Sequence, residues 1–164
     1  MMNLKEITLF EDLDERELKI VSRHLKEIRF KAGETIIHES ESGNTMYIFK
    51  EGKVKITRKI TLKIGERWGE AEKAMDVLDA KQVGFFGEMA LVTGAPRSAT
   101  ITAITDCTLY QLSSDDLESI AREAPLTAYK IMMKIARVLA NRVRRLNDTV
   151  LKLTTALSLV VSKK

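Results

Sequence analysis

The chain is short of the residues that build cross-linked and metal-dependent proteins. A single cysteine, Cys107, excludes an intramolecular disulfide, and two histidines, His24 and His38, fall short of the clustered ligands that a metal site needs. No long apolar run occurs. The stretch "LSLVV" near the end is far below the roughly 20 residues that cross a bilayer, and "MMNLKEITLF" lacks the basic-then-apolar layout of a secretory signal. Charge of one sign is also scarce: 27 Lys+Arg against 23 Asp+Glu leave a net +4, which suits a small anion without arguing for nucleic acid. These absences point to a cytoplasmic, non-secreted protein.

What is present suits one globular domain with an appended helix: 164 residues, of which 45% are apolar. Between Asp14 and Glu27 the apolar residues Leu18, Val21 and Leu25 recur at helical spacing, so an amphipathic helix is expected there. Short β-branched runs follow, punctuated by Gly33, Gly43-Asn44 and Gly52, and these read as strands joined by tight turns. In "KVKITRKI" the alternation sets Val54, Ile56 and Ile60 against a wet face of Lys53, Lys55 and Thr57. The charged segment "KIGERWGEAEKA" reads as a long connection between a strand ending near Leu62 and one near Met75 to Asp79, with Trp68 as loop packing or as a partner or ligand-lid contact. Two more strands, "SATITAITD" and "CTLYQLS", precede a short helix capped at Ser113 or Ser114 with Asp115 and Asp116 in its first turn. Beyond Leu126 there is no glycine or proline, so a helix of about 30 residues is expected. The fold class is therefore mainly β with helices (α+β), a β-roll or jelly roll with an N-terminal helix and a long C-terminal one.

One stretch, "GFFGEMALVTGAPRSATITA" (84–103), resists a purely structural reading. An acid, Glu88, follows Gly87 inside an apolar run, and Arg97 stands directly after Pro96. A short helix opening at "FGEMAL" frees backbone N–H groups for an anion. A guanidinium matches a phosphate with parallel hydrogen bonds, and a carboxylate, which only accepts, suits a sugar hydroxyl. The bland alternative is a turn glycine followed by a solvated glutamate.

These residues closely resemble the phosphate-binding cassette of the cyclic nucleotide-binding domain family, to which the catabolite activator protein and protein kinase A regulatory subunits belong. The cassette pattern stands here as Phe86-Gly87-Glu88-Met89-Ala90-Leu91 through Pro96-Arg97-Ser98-Ala99. Upstream, Gly33, Glu34, Gly43, Tyr47, Ile48 and Gly52 match the glycine-spaced strands of the family. The resemblance runs from about Leu9 to about Val150. It implies that Glu88 accepts from the ribose 2′-hydroxyl and that Arg97 pairs with the cyclic phosphate. Gly87, Met89, Ala90, Ser98 and Ala99 would complete the cradle. By alignment with the lid helix of the family, Arg142, Leu146 and Asn147 fall where the ligand is covered. Where relatives carry Gly then an acid before the two aromatics, this chain has Val83-Gly84. A small or hydroxylated residue follows the Arg across the family, and Ser98 leans the ligand towards cAMP over cGMP.

Read in sevens, Ala136, Val143, Val150 and Leu157 form one column of the C-terminal helix and Leu139, Leu146, Leu153 and Val160 another. The first half, with Tyr129, Met132 and Met133, is expected to cover the roll, and the second half to pair with another copy. Residues 1–127 then form the nucleotide-binding domain and 128–164 the lid and dimerisation helix. Arg137, Arg142, Arg144 and Arg145 read as a solvated helix face. DNA-binding members of the family continue into a winged helix, for which a chain ending at Lys164 leaves no room. The expected partners are thus a cyclic nucleotide, a second copy through 136–160 and an effector protein, with neither DNA nor membrane. A non-nucleotide-binding interaction module on the same fold is the alternative. A cupin-like metal enzyme, needing more ligands than His24 and His38 offer, is a distant rival, so no metal and no catalytic residue are expected.

Overall fold

A computed structural model describes residues 4–64, 67–79 and 84–161. A 3-10 turn at Leu4–Glu6 leads into helix α1, Glu15–Ser22. The strands follow as β1 (Lys26–Phe30), β2 (Thr35–Ile37), β3 (Thr45–Glu51), β4 (Lys53–Ile64), β5 (Arg67–Asp79) and β6 (Phe85–Phe86). Helix α2 (Glu88–Thr93), β7 (Thr100–Ala103), β8 (Cys107–Ser113), α3 (Ser114–Glu123) and α4 (Pro125–Val161) complete the order. Among the described residues the strands form two antiparallel sheets, ordered β1-β8-β3-β6 and β2-β7-β4-β5.

The period-2 geometry of a strand explains how one sheet serves two cores. On β3, Tyr47 and Phe49 turn between the sheets to meet Ile37, Val54 and Leu109, while Met46 and Ile48 turn outward to a second cluster holding Phe10, Val21, Ile120, Ile131 and Ile135. Strand β6 repeats the division, with Phe85 on the helical side and Phe86 between the sheets. The helices are thus segregated on one face of the roll, and α4 is anchored through its first three turns.

Four expectations change. Helix α1 stops at Ser22 rather than Glu27, because 26–30 is recruited by β8, where Lys26 pairs with Gln111 and Phe30 with Cys107. The charged segment 63–74 is no loose connection. It is mostly strand, since Thr57 to Ile64 pair in register with Ala74 back to Arg67, and this ladder satisfies the backbone of a polar, two-stranded ribbon. The tip at 65–66 and the side chain of Trp68 lie outside the described residues. Thr57, expected on the wet face, is buried beside a slip in the ladder, where Ile56 pairs with Asp76 and Thr57 with Ala74, leaving Met75 as the extra residue of a β-bulge. On α4, moreover, Tyr129 faces solvent, and Thr127, Ala128, Ile131 and Ile135 make the buried stripe.

The base of α4 is also held by charge. Asp14 caps α1 by accepting from the backbone N–H of Arg16 and Glu17, and Glu17 returns the bond to the Asp14 N–H at 2.8 Å. The other contacts of the same carboxylate are the Thr127 hydroxyl at 3.2 Å and Lys130 Nζ at 2.7 Å. Burial raises the Glu17 pKa, but these donors outweigh it and leave the carboxyl below its ordinary value. A depressed folded-state pKa contributes stability above the ordinary carboxylate range, and that contribution is lost as the pH falls through the depressed value. Glu17→Gln is therefore expected to lower unfolding stability by about 1–2 kcal/mol at neutral pH. Urea titrations should show the gap from the parent closing towards pH 3; a gap that stays constant would mean the charge contributes nothing.

Candidate functional site

The turn between β6 and α2 needs a left-handed residue, and Gly87 supplies it as the N-cap at φ 80°. That bend buries Glu88, only 2% exposed, at the first helical position instead of leaving it in solvent. Behind it, Phe86 stacks on Tyr47 at 5.5 Å and meets Phe49 edge-on at 5.2 Å, so the strand that aims Glu88 is fixed by aromatic packing.

Arg97 arrives from the loop after α2. Its backbone is clamped to the 40–41 turn, with Arg97 N–H donating to the Glu41 carbonyl and Arg97 C=O accepting from Ser40 N–H, each at 2.9 Å. The side chain, 7% exposed, donates from Nη1 to the Thr45 carbonyl at 2.6 Å and from Nη2 to the Thr45 hydroxyl at 2.8 Å. A longer bond of 3.3 Å runs from Nη1 to the Gly87 carbonyl. Its Nε is buried without a hydrogen-bond partner. Gly43 makes room for this arrangement: a Cβ there would lie 2.5 Å from Nε.

Glu88 and Arg97 face a common cavity of about 90 Å³, in which Gly87, Met89 and Ala90 line one side and Ser98 and Ala99 another. Arg142 closes it from α4 by donating through Nη1 to Glu88 Oε1, while its Nη2 is buried without a partner. Eight of the ten residues singled out from sequence thus converge on one cavity. Leu146 lines a second cavity beside it, and Asn147 lines neither. Sequence reasoning did not find Thr45, which holds the guanidinium, nor Ile56, Leu78 and Ile101, which supply the apolar wall. Gly43 was the available signal for the first, read only as a turn. Gly84 takes φ 76° at the entry to the cassette, and Val83 lies outside the described residues.

A buried carboxylate and a buried guanidinium with spare donor capacity, set across a cavity with an apolar wall, suit a ligand that is anionic at one end, hydroxylated beside it and flat beyond. A model of the cyclic nucleotide-binding domain matches residues 27–124. The chain belongs to the cyclic nucleotide-binding domain family. Among curated relatives of this domain, the CRP-like cAMP-activated global transcriptional regulator of Mycobacterium tuberculosis is 27% identical over 140 residues, covering 85% of the chain and 57% of the regulator. The catabolite activator protein of Thermus thermophilus superposes with a TM-score of 0.73 at 25% identity, covering 89% of the chain and 62% of that structure. The regulatory domain of Toxoplasma gondii PKA, solved with cAMP, gives 0.56 at 32% identity over 74% of the chain and 42% of that structure. The domain therefore spans less than two thirds of each of these proteins. Among the described residues no helix is long and apolar enough to cross a membrane, and no group of His, Cys, Asp and Glu could hold a metal ion.

Proposed function

We propose that this chain is a cytoplasmic cyclic nucleotide sensor without catalytic activity, taking cAMP in preference to cGMP and signalling through α4 to a second copy and an effector. The observation that carries the reading is the buried pair Glu88 and Arg97 across one cavity, with Arg97 Nε unpartnered. The residues fit the ligand. Arg97 would hold the cyclic phosphate with charge-assisted bonds, helped by the Ser98 hydroxyl and the backbone of Gly87, Met89, Ala90 and Ala99. Glu88 would accept from the ribose hydroxyl.

Glu88 already takes the Arg142 guanidinium, so ribose and α4 address the same carboxylate. A ligand that changes this contact favours one α4 position over another, which is the differential binding that a switch requires. On this reading residues 1–127 bind and 128–164 transmit. Calorimetric titration of cAMP and cGMP into protein that has been unfolded and refolded, to strip carried-over ligand, tests it. Micromolar or tighter binding of cAMP is expected; no heat with either nucleotide would leave an interaction module built on the same fold.

A further inference from the structure

Two methionines are exposed among the described residues, Met75 at 55% and Met89 at 51%, whereas Met46 is wholly buried and Met132 and Met133 are partly covered. Only Met89 of this pair belongs to the cassette. It is the second residue of α2 and lines the cavity that Glu88 and Arg97 face. Its sulfur accepts from the Ser98 hydroxyl, with Sδ 3.7 Å from Oγ. A hydroxyl has one proton to give, and here it goes to a thioether, which is a weak acceptor. An anion entering the cradle therefore takes that proton from the sulfur at little cost.

Oxidation reverses the ranking of the two acceptors. A hydroperoxide transfers one oxygen atom to a sulfur lone pair: the O–O bond breaks, the S–O bond forms, and the reagent leaves as water or an alcohol. The sulfur is thereby oxidised and the peroxide reduced. The sulfoxide is polar and chiral, and its oxygen accepts a hydrogen bond far better than the thioether did. A methionine side chain turns about three bonds and adapts readily, so the new oxygen can reach a hydroxyl already in contact with its sulfur.

We infer that Met89 is a site of reversible oxidation that switches the cradle off: its sulfoxide holds the Ser98 proton and denies it to the phosphate. The inference rests on the nucleotide reading above, which gives the Ser98 hydroxyl to the phosphate, and adds a redox input at that same site. Exposure opens Met89 both to a dissolved peroxide and to the reductases that return sulfoxide to thioether, while Met46 in the core is shielded.

The test titrates cAMP by calorimetry into the whole chain before and after brief treatment with hydrogen peroxide, using peptide mass spectrometry to locate the added oxygen. Once Met89 carries it, the parent should lose at least about tenfold in affinity and keep its melting temperature. Treatment with both methionine sulfoxide reductases, one for each epimer, should restore binding. Met89→Leu, whatever affinity it starts from, should change by less than about twofold with peroxide, and Met75→Leu should lose as much as the parent. Ser98→Ala probes the hydroxyl itself: it starts weaker, and peroxide should take it less than about twofold further. An oxidised parent with unchanged affinity, a loss that tracks a lowered melting temperature, an equal loss in Met89→Leu or a full loss in Ser98→Ala would each overturn the inference and leave the sensor reading standing. A parent that binds no cAMP before treatment would overturn both.

Discussion

Arg97→Ala should lose cyclic nucleotide binding altogether on a calorimetric scale, a drop of about 100-fold or more. Charge-assisted hydrogen bonds contribute about 1.5–3 kcal/mol each, and a phosphate engages the guanidinium through at least two. Removing it would leave the phosphate desolvated beside apolar walls rather than merely less well held. The same side chain ties down Thr45 and the Gly87 carbonyl, so some loss of stability accompanies the loss of ligand. Arg97→Lys separates the two effects. It keeps the charge but not the planar fork, and should fold like the parent while binding only weakly. Melting curves and titrations on both variants give the answer. Binding by the alanine variant within twofold of the parent would remove Arg97 from the phosphate site.

The second large effect is expected at the far end of α4. Val143, Leu146, Val150, Leu153, Leu157 and Val160 stand at heptad spacing, each more than half exposed. Burying a Val or Leu side chain contributes about 1.5–3 kcal/mol, and a two-fold interface counts every position twice. We expect the chain to dimerise along this seam, as the alternating β-branched and leucine columns favour. Val150→Asp with Leu153→Asp places four charges in the seam of each dimer, and should weaken association by about 1,000-fold or more, because unpaired charges resist burial. Neither residue lines either of the two cavities beside Glu88 and Arg142, so nucleotide affinity reports separately on the fold. Sedimentation across a micromolar concentration series provides the check, and parent and variant with the same mass at every concentration would refute the seam.

The fold was legible in this sequence wherever local chemistry and tertiary packing agree. Ser113, one of the two caps that "SSDDLES" offered, caps α3 and pairs with Asp116 as its third residue, and Gly87 takes the bend between "FF" and Glu88. The cassette was legible for a related reason: its residues are contiguous, so their spacing survives in the linear chain. What stayed hidden depends on pairing partners far away. Nothing in "ITRKITLKIGERWGEAEKAMD" marks which residues face each other, and strongly charged strands lack the apolar alternation by which a strand is recognised. The bulge at Met75 is invisible for the same reason, since a register slip belongs to two strands at once. Thr45 went unnoticed because its contribution is a carbonyl and a hydroxyl aimed at Arg97, and the chain separates the two residues by 52 positions.

Helix α4 runs 37 residues without interruption, yet its last buried residue is Ile135. The 26 residues from there to Val161 make a rigid rod of roughly 39 Å, fixed at one end only. Such a rod acts as a pointer. A tilt of about 10° at its root, small enough for side chains to absorb by changing rotamers, sweeps the tip by roughly 7 Å over that length. Arg142 grips Glu88 near the root, where the displacement is least and the leverage greatest. If the proposed sensor reading holds, an ångström-scale adjustment in the cassette would be read out at the far end of α4 as a displacement of several ångströms.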